Sequence, residues 1–68
     1  MNKYSKNYYK IRTYFLNNFI KVENGEMSIS EINRASKALL FVWLFGLISS
    51  DEYLELVLFV DNKIGEFI

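Results

Sequence analysis

The chain has 68 residues, of which 51% are hydrophobic and 18% are aromatic, and its formal net charge is zero. A chain of this length forms one domain and buries only about 60% of its unfolded surface, so its apolar side chains exceed what one small core can cover. Since it contains neither cysteine nor histidine, it lacks the commonest metal ligands and acid–base groups, and we expect a non-enzymatic protein without catalytic residues, cofactor or metal.

The first predicted helix spans about residues 3–23. Apolar residues recur along it at intervals of three and four, which is typical of a helix that packs one face on a core. The predicted core stripe consists of Tyr4, Tyr8, Ile11, Phe15, Phe19 and Val22.

The remaining face of this first helix is basic, and residues 1–22 contain no acidic residue. Basic side chains interleaved with tyrosine can follow a phosphate backbone, so this face is a candidate site for an anion or a nucleic acid. The ordinary alternatives are a solvated lysine face, or packing beside the acidic last helix with complementary charge, and the sequence favours these. The candidate residues are Lys3, Lys6, Lys10, Tyr14 and Lys21.

The second predicted helix spans about residues 29–45. Gly25 is placed to end the preceding helix in a left-handed conformation. Ser28 is the candidate N-cap, and Glu31 three residues later completes the pattern of a capping box. The core stripe of this helix is predicted to consist of Ile29, Ile32, Ser36, Leu39, Leu40, Trp43 and Leu47.

The third predicted helix spans about residues 50–66 and begins with the same pattern. Gly46 ends the helix before it, Ser49 is the candidate N-cap, and Glu52 completes the capping box. Its core stripe is Tyr53, Leu56, Val57, Val60, Ile64 and Phe67. Because a turn this short joins antiparallel helices, we expect an all-α fold: a small three-helix domain over residues 1–68, with helices 2 and 3 forming an antiparallel hairpin.

Several large apolar residues lie off these three core stripes. On the second helix, Phe41 and Phe45 lie roughly opposite Trp43, which we expect to anchor the core. An exposed phenylalanine pair is unusual on a monomer, so the leftover residues predict a contact surface for a second copy of the chain or for another protein. The predicted interface residues are Tyr9, Leu16, Ile20, Ala38, Phe41, Phe45, Leu54 and Leu58.

The stretch "GLISSDEY" at residues 46–53 resembles the turn of the SHOCT domain, a short bacterial helical hairpin. The pattern is a glycine, two aliphatic residues, a serine or threonine, and then acids and an aromatic residue. The matching positions are Gly46, Leu47, Ile48, Ser49, Asp51, Glu52 and Tyr53. The resemblance covers about residues 37–64 and implies an oligomerising or docking module without catalytic residues. The family has lysine-rich flanking helices, whereas "LELVLFV" at residues 54–60 is apolar.

The N-terminal residues do not form the apolar stretch of a signal peptide, and the apolar run at residues 38–48 is about half the length of a membrane-spanning helix. We therefore expect a cytoplasmic protein. Richness in Asn, Lys, Ile, Tyr and Phe is typical of AT-rich genomes, and small helical proteins are frequent in the phages and mobile elements of such bacteria. This association suggests a small protein that modulates a host protein, such as a defence or replication factor. The leading hypothesis is such a protein-binding modulator, partnered by itself or by a host protein. The alternatives are a nucleic-acid-binding regulator and, less favoured, a membrane-surface or immunity-type protein.

Overall fold

The computed structural model describes residues 3–68. This part of the chain is helical throughout its regular structure, which confirms the predicted all-α class. It contains four helical segments: α1 (Lys6–Glu23), α2 (Ile29–Ser36), α3 (Leu39–Leu44) and α4 (Ser50–Phe67). The predicted three-helix arrangement is confirmed, because α2 and α3 together correspond to the second predicted helix.

The division between α2 and α3 falls at Lys37 and Ala38, inside the segment that the apolar periodicity predicts as one helix. Here the backbone N–H groups bond to carbonyls three residues back instead of four, so the helix is wound more tightly. The N–H of Lys37 donates to the carbonyl of Arg34 (3.3 Å), and the N–H of Ala38 donates to that of Ala35 (3.0 Å), three residues back in each case. The Ser36 hydroxyl also donates to the Asn33 carbonyl (2.7 Å), a local bond that competes with regular helical pairing.

Two turns of the same kind separate the helices. Gly25 and Gly46 both have a φ of +76°, the left-handed conformation that glycine adopts without strain. At each turn, the residue after the glycine donates to a carbonyl five residues back: Glu26 to Lys21 (2.8 Å) and Leu47 to Val42 (3.1 Å). Both turns are therefore Schellman motifs, as the positions of the glycines predict.

The two predicted capping boxes have different outcomes. At α4, the Ser49 hydroxyl accepts from the Glu52 N–H (3.1 Å) and the Glu52 carboxylate accepts from the Ser49 N–H (2.8 Å), which confirms the box. At α2, Ser28 is the N-cap, but its side chain makes no capping hydrogen bond. Its hydroxyl instead lies 3.0 Å from that of Ser30, so the predicted box with Glu31 does not form.

The core lies where α1, α2 and α4 meet, and α3 packs against α4 beside it. The buried apolar residues are Tyr8, Phe15, Phe19, Ile32, Leu39, Ile48, Leu56 and Val60. The predicted stripes of α1 and α4 supply most of this set. The Arg12 guanidinium lies 4.6 Å from the ring centroid of Phe59, so this cation also joins α1 to α4.

The predicted core stripe of the second helix is only partly correct. Leu40 and Leu47 are exposed, and Trp43 is half-buried rather than central. Leu39 is the buried residue of α3.

Within residues 3–68, no helix has the length and apolar character needed to cross a membrane. The same residues contain no group of three acidic side chains placed to hold a metal ion.

Candidate protein interface

The outward side of α3 is almost entirely apolar. Each residue advances about 100° around a helix, so the buried Leu39 and the half-buried Val42 and Trp43 leave a wide face turned to solvent. The exposed fractions of the large side chains on this face and in the following turn range from 42% to 77%. We call the following residues the α3 apolar face: Leu40, Phe41, Leu44, Phe45 and Leu47.

Specific contacts fix α3 in place. The Trp43 ring stacks on that of Tyr53, with a centroid distance of 5.2 Å and an interplanar angle of 24°. Its Nε1 donates to the Ser50 hydroxyl (3.1 Å). Beyond the end of α3, the Asn7 side-chain amide donates to the Leu47 carbonyl (2.9 Å). The apolar face therefore lies on a segment that contacts both α1 and α4.

An open groove between α1 and the α2–α3 segment adjoins this face. It is predominantly apolar and is lined by Ile11, Tyr14, Phe15, Ala35, Ala38, Leu39 and Val42. Ala38 and Val42 lie on the same side of α3 as Phe45 in helical projection, so the groove continues the apolar face toward Tyr14. Tyr14, expected on the basic face of α1, thus also forms one wall of the groove, and its ring contacts that of Phe15 edge-on (5.2 Å).

The structure distributes the remaining predicted interface residues over other parts of the surface. Leu54 and Leu58 are exposed on α4, where they share a shallow depression with charged residues that include Asp51 and Glu55. Tyr9 and Ile20 are exposed on α1, and Leu16 is half-buried there. Thus Ala38, Phe41 and Phe45 share a surface, whereas Leu54 and Leu58 lie among charged side chains.

The basic candidates on α1 are all exposed. Lys6 and Lys10 border one open depression, together with Tyr9 and Thr13. Lys21 lies in the last turn of α1, roughly 22 Å along the helix from Lys6 at 1.5 Å per residue. Lys3 lies over the Tyr4 ring, 5.3 Å from its centroid.

Within residues 3–68, no salt bridge joins the basic first helix to the acidic last helix. The salt bridge found there joins Lys63 to Glu66 (3.4 Å) within α4. Arg12 contacts α4 through the Phe59 ring rather than through an ion pair.

A buried carboxylate links the starts of α1 and α4, which the sequence did not predict. Glu52 is 5% exposed. Its Oε1 accepts from the Ser49 N–H (2.8 Å), and its Oε2 accepts from the N–H of Ser5 (2.6 Å), the N-cap of α1. The Ser49 and Ser5 backbone donors outweigh the effect of burial and lower the pKa of Glu52 to about 2. This geometry suits a structural anion at two helix N-termini.

Burial also raises the pKa of the Tyr8 hydroxyl, so this tyrosine stays protonated in the core. Glu52 and Tyr8 are both buried, so neither side chain belongs to the solvent-facing surface. The chemically distinctive feature of the described surface is therefore the α3 apolar face.

Comparison of the chain with known protein families, with curated proteins and with solved structures found no match.

Proposed function

We propose that this chain is a non-enzymatic protein-binding module and that the α3 apolar face is its contact surface. The observation that carries the proposal is the exposure of adjacent large side chains on one short helix, up to 77% for Phe45. Contiguous apolar patches of more than a few hundred Å² are rare on monomers, and they mark sites of interaction. Buried aromatic residues also supply much of the energy of protein interfaces.

The shape and chemistry of the face favour a protein over a small ligand. A small-molecule site is concave and encloses most of its ligand, whereas this face is the outer side of a helix beside an open groove. No charged residue occurs from Ala38 to Ser50. A partner can therefore contact the leucine and phenylalanine side chains without removing water from a charged group of this chain. The resemblance of residues 46–53 to the SHOCT turn implies a docking module as well.

The partner class on this proposal is another protein chain, either a second copy or a host protein of the kind that small phage-encoded modulators inhibit. Photo-crosslinking in the native host tests the proposal, because it captures whichever protein contacts the face. The photoreactive residue p-benzoylphenylalanine replaces Phe45, and in a matched control it replaces Asn62, an exposed residue of α4. We expect defined protein adducts from position 45 and none from position 62. Absence of adducts at position 45, or equal adducts at both positions, contradicts the proposal.

A second candidate function, nucleic-acid binding, is favoured by one observation, the depression that Lys6 and Lys10 share with Tyr9. Binding through lysine–phosphate contacts weakens steeply as salt rises. We expect a fluorescent single-stranded oligonucleotide to be retained at about 50 mM salt, a permissive condition on this scale. Replacing both lysines by Gln should abolish retention, whereas Lys63→Gln on α4 should not. Lack of retention of the wild-type chain rejects this candidate.

A further inference from the structure

We propose that the occupant of the α3 apolar face is a second copy of this chain, related by a two-fold axis, with the two α3 helices antiparallel. This inference rests on the proposed function, because it names the partner of the same surface. Three features of the face support it: its area, the charges at its two ends and the arrangement of its side chains.

The area of the face matches what a small dimer requires. If each whole side chain presents roughly 150–200 Å², the exposed fractions of 42–77% leave on the order of 500 Å² of apolar surface per chain. Pairing two copies then removes on the order of 1,000 Å² from water, which is the lower bound for a specific interface. The adjoining groove, with Ile11 and Tyr14 on its wall, adds to this area.

The charges at the two ends of the face are opposite in sign. Arg34 and Lys37 precede it and are exposed, and Asp51 follows it and is exposed. An antiparallel pair brings the basic end of one copy to the acidic end of the other, whereas a parallel pair opposes like charges, which costs binding energy. Between these ends the face is uncharged, so its apolar centre can meet itself without repulsion.

The order of the side chains suits a two-fold axis through the middle of the face. Phe41 and Leu44 lie near its centre in helical projection, so each meets the other across the axis. Phe45 lies on the same flank of the face as Phe41 in helical projection, so it packs beside Phe41 of the second copy, and Leu40 packs beside Leu44 on the other flank. In such an isologous contact, every pair of residues occurs twice.

The first experiment measures the molar mass of the purified full chain by light scattering during size-exclusion chromatography, over a range of micromolar concentrations. We expect a dimer for the wild-type chain. Phe45→Lys should weaken dimerisation by about thirtyfold or more, the effect of losing a buried interface aromatic. The substitution also places a cation at the C-terminus of α3, where the helix dipole favours it. Asn62→Lys, at an exposed residue of α4, should leave the dimer intact.

A cysteine trap covers the case in which Phe45→Lys does not fold. The chain has no native cysteine, so Leu44→Cys provides one thiol near the proposed axis. Under mild oxidation, we expect rapid formation of a disulfide-linked dimer, since the bond requires Cα atoms within about 7 Å. Asn62→Cys on α4 should form little disulfide-linked dimer under the same conditions.

The outcomes separate this inference from the proposed function. A wild-type monomer at every concentration, or equal trapping of the two cysteine variants, overturns the inference that the partner is a second copy. If crosslinking at position 45 still captures a different protein, the proposed function stands. If it captures nothing, both fail. A dimer that Phe45→Lys leaves unchanged also overturns the inference, since the interface then lies elsewhere.

Discussion

Replacing Glu52 by Gln should destabilise the fold by about 2–3 kcal/mol at pH 7. The Glu52 carboxylate accepts from the N–H groups of Ser49 and Ser5, which lower its pKa from 4.5 to about 2. At about 1.4 kcal/mol per pKa unit, this fall corresponds to roughly 3 kcal/mol of stability. Gln keeps one acceptor oxygen but presents an NH₂ group to the second donor, so one backbone N–H loses its partner.

The pH dependence follows from the direction of the pKa change. Because the folded pKa lies below the unfolded value, the contribution of Glu52 is fully present above pH 4.5 and is lost as the pH falls toward 2. Urea denaturation followed by circular dichroism, at several pH values from 7 down to 2.5, measures the free energy of unfolding of both chains. The difference between wild type and Glu52→Gln should be largest at pH 7 and should shrink below pH 4.5.

Asp51→Asn is the matched control, since it removes a carboxylate from the same helical turn at an exposed position. We expect it to cost less than about 1 kcal/mol, the scale of an exposed charge near a helix N-terminus. If Glu52→Gln costs no more than Asp51→Asn, or if its effect is the same at pH 3 as at pH 7, the assignment of Glu52 as a buried anion is refuted.

The remaining predictions concern packing and backbone conformation, and urea denaturation measures all of them. Leu56→Ala, at a side chain with no exposed surface, should cost about 2–5 kcal/mol. Trp43→Ala should cost less than the roughly 3–5 kcal/mol of a fully buried aromatic, because Trp43 is half-buried. If Trp43→Ala lowers the free energy of unfolding as much as Leu56→Ala or more, the placement of Trp43 at the edge of the core is wrong. Gly46→Ala should cost about 1–2 kcal/mol, since its φ is +76°. Gly65→Ala, inside α4 with no atom near the added Cβ, should instead stabilise the fold by about 0.5–1 kcal/mol. If both glycine substitutions change the free energy of unfolding in the same direction, the explanation from backbone conformation is refuted.

The elements that the sequence predicts correctly are those determined by local interactions. Both turns follow from a glycine that must adopt positive φ and from bonds within six residues of it. The cap at Ser49 forms because the Glu52 carboxylate is held in place by a further donor, Ser5. At Ser28, the equivalent glutamate, Glu31, is exposed and has no such support, so the same local pattern gives a different result.

The features that the sequence does not predict depend on tertiary position. The burial of Glu52 requires α1 and α4 to start side by side, which no local pattern encodes. α3 buries Leu39 and half-buries Trp43, whereas Leu40 and Leu47 are exposed although periodicity places them in the core. The exposure of Phe41 and Phe45 follows from their place opposite Trp43 on α3, and here the periodicity gives the right side of the helix.

The hydrogen bond from Ser5 to Glu52 joins positions 47 residues apart in the chain. Fluctuations that open the first turn of α1 must therefore remove a donor from the carboxylate that also caps α4. The amide protons of Ser5 and Ser49 are held by the same side chain, so their exchange with solvent is coupled. We therefore expect the start of α1 and the start of α4 to open as one cooperative unit.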